Sequence, residues 1–193
     1  MLFKHKILNG IWLIEQSFAN NYLPYITHFL NSPLLVREDR APAPFLHIYK
    51  NGWESEDHIN SIRKAPEGSI AVIDIAGAIT KHDQECGPDG MLSKSEVLRS
   101  AFSTPNISGV ILRIDSGGGE GMAMRGFVEA MHERNKPVVA FIEDMACSAA
   151  YGIASAADHV VANSELATVG SIGTYLTIAD YTKYYENQGI KLT

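Results

Sequence analysis

The stretch that decides the fold runs from Gly109 to Gly119 and reads Gly-Val-Ile-Leu-Arg-Ile-Asp-Ser-Gly-Gly-Gly. The β-branched and aliphatic residues at its start predict a buried strand at 109–114. The three glycines that follow leave the backbone N–H groups without side-chain cover, so the loop could bind an anion or a developing oxyanion. A glycine run alone is equally typical of a tight turn or a phosphate-binding loop.

Short apolar runs and helical patterns alternate on both sides of this stretch. They predict strands at 69–75, 137–142 and 159–162, and helices at 93–103, 122–134 and 148–156. The first of these helices opens on a capping-box pattern from Ser93 to Glu96. Strands separated by helices of this length predict an α/β fold, with a parallel sheet built from repeated βαβ units.

Composition limits the kind of protein. The 193 residues carry a formal net charge of −6 and no cluster of basic side chains, so a nucleic-acid-binding surface is not expected. The length suits one domain with an appendage. Because the acidic excess falls after residue 67, we predict an N-terminal extension and linker at 1–67 and a core at 68–193.

The N-terminal extension has apolar residues spaced three or four apart over 7–31, which predicts a helix that Pro24 kinks or splits. The proline-containing stretch 31–44 is typical of an exposed connector. The early apolar run is broken by Asn9 and Gly10, so it fits neither a secretory signal nor a membrane span. We therefore expect a cytoplasmic protein, with membrane association as the alternative.

A second loop, Asp144 to Gly152, follows the predicted strand at 137–142 and leads into a helix of small residues. Ligands of parallel α/β sheets bind at the carboxyl ends of the strands, so both loops are candidate sites. Ser148 is placed at the helix N-terminus, where it could be a nucleophile or simply a helix cap. Cys147 is a rival nucleophile in the same turn.

Four motifs in order resemble a known family. They are Asp115 to Gly119, Cys147 to Asp158, Val161-Ala162-Asn163 and Gly170-Ser171-Ile172-Gly173. Together they resemble the signal peptide peptidase A family of serine peptidases over residues 68–193. That family includes membrane-anchored bacterial peptidases and phage capsid-maturation proteases. The resemblance implies a Clp/crotonase fold and a Ser/Lys dyad.

The resemblance also implies roles for individual residues. Ser148 aligns with the nucleophile, the amides of Gly118 and Ala149 would line the oxyanion hole, and the Ser171 hydroxyl would orient the lysine. Gly117 departs from the pattern, since most members have proline there.

The lysine of the dyad has no clear counterpart. Family members place it roughly fifty residues after the serine, whereas Lys183 and Lys191 come earlier. We therefore expect the base to lie beyond Thr193 or to be absent. In a Ser/His/Asp alternative, His159 follows Ser148 too closely, and we interpret it as structural. His132 is expected on the exposed face of the preceding helix.

No metal or cofactor is expected. His82, Asp83, Glu85 and Cys86 are close in sequence, but no second cluster accompanies them, and a solvated crossover loop explains them better. Two cysteines, Cys86 and Cys147, are too few for a disulfide framework, and we expect both to be reduced.

The functional prediction is a serine endopeptidase that acts on protein or peptide substrates through an acyl-enzyme on Ser148. We expect a homo-oligomer, and a role in phage head maturation rather than signal-peptide clearance. Two alternatives remain: a catalytically inactive, scaffold-binding member of the family, and a crotonase-like acyl-CoA enzyme.

Overall fold

A central sheet with helices packed on it forms the body of the protein. The computed structural model describes residues 12–14, 20, 46–50, 53–56, 59–84, 88–173 and 181–189. The strands are β1 (Trp12–Ile14), β2 (Leu46–Lys50), β3 (Trp53–Glu56), β4 (Ser69–Ala76), β5 (Ile107–Ser116), β6 (Gly118–Glu120), β7 (Val138–Cys147), β8 (His159–Ala162) and β9 (Thr168–Gly170). The helices are α1 (Ile59–Lys64), α2 (Met91–Ser103), α3 (Gly121–His132), α4 (Ala149–Ala154) and α5 (Thr182–Asn187).

The large sheet has the order β3-β2-β4-β5-β7-β8, and β9 also pairs with β7. Strands β4, β5, β7 and β8 are parallel, and helices connect them along the chain. Parallel strands need such crossovers, because a tight turn can only join antiparallel neighbours. The predicted α/β class, a parallel sheet of βαβ units, is therefore confirmed.

The core lies between this sheet and the helices. Alternate residues of the central strands, such as Ile73, Leu112 and Ala140, are fully buried and belong to one apolar cluster with Phe127 and Ile153 of the helices. Full burial of a side chain the size of leucine or phenylalanine stabilises a fold by about 1.5–3 kcal/mol. This cluster therefore fixes the ends of β5 and β7, where the two predicted loops begin.

The predicted helix at 7–31 is wrong at Trp12–Ile14, which forms β1 and pairs antiparallel with β6. The spacing of apolar residues fits a helix, but the glycine strand offers an edge of backbone donors and acceptors that a short extended segment can pair with. The rest of the predicted helix, apart from Asn20, lies outside the described residues. The predicted connector at 31–44 lies wholly outside them.

The sheet extends across the predicted domain boundary at residue 67. Strand β2 pairs antiparallel with β4, and β3 pairs antiparallel with β2. Arg113 on β5 forms a bidentate salt bridge with Asp74 on β4, and the His47 Nε2 on β2 lies 3.2 Å from the same carboxylate. These contacts tie β2 to the two central parallel strands.

Helix α2 begins two residues before the predicted start, with Gly90 in the N-cap position. Asp83 explains the difference, because its carboxylate accepts hydrogen bonds from the Gly90 N–H at 2.7 Å and from the Ser93 hydroxyl at 2.8 Å. Ser93 therefore does not cap the helix itself. Within the part of the chain that the structure describes, no helix is long and apolar enough to cross a membrane.

Candidate active site

Two strand ends bring the predicted loops together. Ser116, the last residue of β5, is in register with Ala146 of β7, two positions before Ser148. The glycine strand β6 and the turn at Ser148 therefore start side by side, and α4 packs against β6. This is the carboxyl edge of the parallel sheet, where the sequence places the site.

Ser148 occupies a strained turn between β7 and α4. Its backbone has φ 55° and ψ −118°, a conformation that costs a non-glycine residue about 1–3 kcal/mol. Its N–H donates to the Gly170 carbonyl at 2.8 Å, and its own carbonyl accepts the Gly152 N–H at 2.9 Å. The side chain makes no capping hydrogen bond, so the helix-cap interpretation does not fit. A serine on a sharp strand-to-helix turn is the geometry of a nucleophile elbow.

Cys147, beside Ser148 in the same turn, is buried. Its side chain is 1% exposed, and its thiol donates to the Thr168 carbonyl oxygen at 3.6 Å. A buried cysteine in apolar surroundings is inert. The geometry therefore favours Ser148 over Cys147 as nucleophile.

Ser116 fixes the glycine strand, and the sequence did not single it out for this role. Its hydroxyl donates to the Gly77 carbonyl at 2.6 Å and accepts the Gly118 N–H at 3.1 Å. Gly118 has φ 104°, which other residues rarely adopt. A Cβ on Gly119 would lie 2.2 Å from the Ile79 carbonyl oxygen, so only glycine fits there. The Asp-Ser-Gly-Gly-Gly motif carries this signal, but only the fold shows what the serine contacts.

The other predicted site residues lie at the same edge. Ala149 is the buried first residue of α4, and the N–H groups of a first helical turn have no acceptor within their helix. Ser171 is exposed, has φ 54°, and directly follows Gly170, which is in register with Cys147. The structure thus brings Gly118, Ser148, Ala149 and Ser171 together, and their catalytic roles stay predictions.

The remaining candidates fall elsewhere. Lys183 is exposed on α5, and Lys191 lies outside the described residues. His159 is exposed at the start of β8, and His132 is exposed at the end of α3. Of the four loop residues that we interpret as a solvated crossover, Glu85 and Cys86 lie outside the described residues. No group of three or more His, Cys, Asp or Glu side chains at described positions could hold a metal ion.

Two ionisable groups near this end of the sheet have shifted pKa values, and neither shift could be predicted from the sequence. Burial and the nearby charge of Asp144 raise the pKa of Asp115, at the end of β5. Burial lowers the pKa of Lys94, on α2, to about 8, although Asp89, Asp74 and Asp83 oppose the shift.

Known proteins are similar in sequence to the part of the chain that contains this site. Residues 130–193, which include the turn at Ser148 and the motif at Ser171, match the model of Peptidase family S49. The resemblance to signal peptide peptidase A is confirmed. The chain is 31% identical over 124 residues to Protease 4 of Haemophilus influenzae, covering 63% of this chain and 20% of that protein. It is 32% identical over 132 residues to Capsid assembly protease C of Escherichia phage lambda, covering 64% and 29%.

A plant protein is similar in sequence as well, and one solved structure superposes on part of the chain. Serine protease SPPA, chloroplastic, of Arabidopsis thaliana is 33% identical over 127 residues, covering 62% of this chain and 18% of that protein. The chain thus spans about a fifth of the length of most of these relatives. A putative enoyl-CoA hydratase from Streptomyces coelicolor superposes with a TM-score of 0.43 at 16% identity, covering 68% of this chain and 50% of the other.

Proposed function

We propose that this chain belongs to a serine peptidase that hydrolyses peptide bonds through an acyl-enzyme on Ser148. The observation that carries the proposal is the strained, uncapped turn at Ser148 beside the glycine strand. The match of residues 130–193 to a peptidase family supports it.

The residues at this edge suit each step of acyl transfer. The Ser148 oxygen would bond to the substrate carbonyl carbon while its proton passes to a base. The N–H groups of Gly118 and Ala149 would hold the oxyanion, and the base would return the proton to the leaving amine. Water would then hydrolyse the acyl-enzyme by the same route. Because the Gly118 N–H donates to Ser116 at rest, it must share or exchange that partner when the oxyanion forms.

A lysine is the base we propose, in a Ser/Lys dyad with the Ser171 hydroxyl holding its amine. A lysine that is desolvated loses its proton more easily, so it can accept the serine proton near neutral pH. We place this lysine outside the described residues, because Lys183 is exposed on α5.

The proposed biological setting is cleavage of protein substrates by an oligomeric assembly, as in phage head maturation. Support comes from two relatives whose names are Capsid assembly protease C and Head-tail preconnector protein GP5. No nucleic acid or cofactor takes part in the proposed reaction, and we propose that it occurs in the cytoplasm.

A fluorophosphonate probe tests the chemistry on the complete gene product that contains these residues. We expect the wild-type protein to be labelled on Ser148, and Ser148→Ala to abolish labelling. Ser155→Ala is the matched control, since Ser155 lies at the other end of α4 and its exposed hydroxyl bonds only to the Gly152 carbonyl. Cys147→Ser should also keep the label. Labelling that survives Ser148→Ala, or a folded wild-type protein without label, would overturn the proposal.

A further inference from the structure

Both edges of the glycine strand β6 are occupied by this chain. On one edge, the Gly118 carbonyl accepts the Ile79 N–H at 3.0 Å, and the Glu120 N–H donates to the Ile79 carbonyl at 2.8 Å. On the other edge, β1 runs antiparallel, with Ile14 opposite Gly118 and Leu13 opposite Gly119. The short strand therefore has a partner on each side.

Backbone alternation shows which groups β1 uses. Because the Gly118 C=O and the Glu120 N–H are directed at Ile79, the N–H and C=O of the intervening Gly119 face the opposite edge. Leu13 is in register with Gly119, so the two residues form the hydrogen-bonded pair of this antiparallel ladder.

A polypeptide substrate needs this same edge. For its carbonyl carbon to reach Ser148, an extended peptide has to run beside β6, and the backbone groups of β6 that face the β1 edge are the N–H and C=O of Gly119. The Ile79 edge is held within the fold, since Ile79 is 1% exposed. Addition of a strand to the β1 edge is the remaining way to pair with β6.

We propose that β6 is a strand-addition site for extended peptides, and that Trp12–Ile14 occupies it in cis. A substrate must displace this segment, so the N-terminal region competes with substrates for the site. This inference rests on the proposed peptidase function and adds to it an internal competitor. Within β1, Leu13 is in register with Gly119, and Ile14 is in register with Gly118, the candidate oxyanion donor.

The test compares two substitutions at one position. Leu13→Pro removes the N–H that pairs with Gly119, whereas Leu13→Ala keeps it and serves as the control. In the complete gene product, we expect Leu13→Pro to lower KM for an extended peptide substrate about tenfold with kcat unchanged, equivalent to about 1.4 kcal/mol of competition. Leu13→Ala should stay near wild type.

Hydrogen exchange gives a readout that does not depend on activity. The Gly119 amide should exchange faster in Leu13→Pro than in Leu13→Ala, as measured by mass spectrometry of peptides that cover β6. Equal exchange in all three proteins would show that β1 does not pair there. If the Gly119 amide exchanges faster in Leu13→Pro but KM is unchanged, and the protein is still labelled on Ser148, the competition is refuted and the peptidase function stands. If the wild-type protein is not labelled on Ser148, the peptidase function itself is refuted.

Discussion

Ser116 is the side chain on which the position of the glycine strand depends most directly. Its hydroxyl satisfies two backbone groups, the Gly77 carbonyl at 2.6 Å and the Gly118 N–H at 3.1 Å, and the residue is 1% exposed. Ser116→Ala leaves both groups without this partner. A buried polar group without a partner costs about 1–3 kcal/mol, and Gly77 is half-buried, so we expect the free energy of unfolding to fall by about 2–4 kcal/mol.

Urea denaturation followed by circular dichroism measures this loss, with an unchanged m-value showing that the two states are the same as in the wild type. Ser103→Ala is the control, because the Ser103 hydroxyl also donates to a backbone carbonyl, that of Ser100 at 3.0 Å, but is exposed. It should change stability by less than about 0.5 kcal/mol. If both variants lose the same amount, the buried hydroxyl does not hold the strand as argued.

The same substitution reports on catalysis if the peptidase function is correct. Without the Ser116 hydroxyl the position of β6 beside Ser148 would no longer be fixed, so the Gly118 amide would be less precisely placed when it exchanges Ser116 for the oxyanion. We expect kcat/KM to fall by about 10-fold to 1,000-fold, the upper figure being the loss of an oxyanion donor outright. An unchanged kcat/KM in a destabilised Ser116→Ala protein would refute the link between Ser116 and the oxyanion site.

Three further predictions test other parts of the structure. Gly119→Ala places a Cβ 2.2 Å from the Ile79 carbonyl oxygen and should lower the free energy of unfolding by about 3 kcal/mol. Its control is Gly126→Ala on α3, where a Cβ meets nothing within 4 Å, and this change should raise the free energy of unfolding by about 1 kcal/mol. Equal stability of the two variants in urea would contradict the packing argument. In the folded protein the pKa of Lys94 is about 8, below the ordinary lysine value of 10.5. Between these two values the folded state binds fewer protons than the unfolded chain, so wild-type stability should rise with pH across that window. Methionine does not titrate, so the free energy of unfolding of Lys94→Met, relative to that of the wild type, should fall by on the order of 3 kcal/mol between pH 7 and pH 11. A difference between the two proteins that stays constant with pH would show that Lys94 is not buried as a titrating group. Ser148→Gly should be about 1 kcal/mol more stable than Ser148→Ala, because glycine adopts φ 55° without strain, and thermal melting that ranks them the other way would refute the strained turn.

The parallel sheet could be predicted because its signals are local. The runs of valine, isoleucine and leucine that form β4, β5 and β7 are buried on at least one face, and each is followed by a recognisable turn or helix. The observed strands extend past the predicted ends, to Ser116 and Cys147, because pairing with a neighbour continues through polar residues that the apolar pattern excludes.

The three-residue strands β1 and β6 could not be predicted, because their partners are distant in sequence. β6 is three residues long, and it is a strand only because Ile79 and Trp12–Ile14 lie on its two edges. The same dependence explains the error at β1, whose three residues fit a helical spacing equally well. Tertiary pairing overrides local pattern in such segments.

The strained backbone at the candidate site could not be predicted from the sequence either, and this strain is the strongest argument for a functional role there. Among the described residues, Ser148 and Ser171 are the two non-glycine residues with positive φ, and a single residue, Gly170, links them, since it precedes Ser171 and accepts the Ser148 N–H. Glycine would adopt the same backbone conformation at lower cost in free energy at both positions. Serine at both therefore indicates that the hydroxyls, rather than the turn alone, are what this edge of the sheet requires.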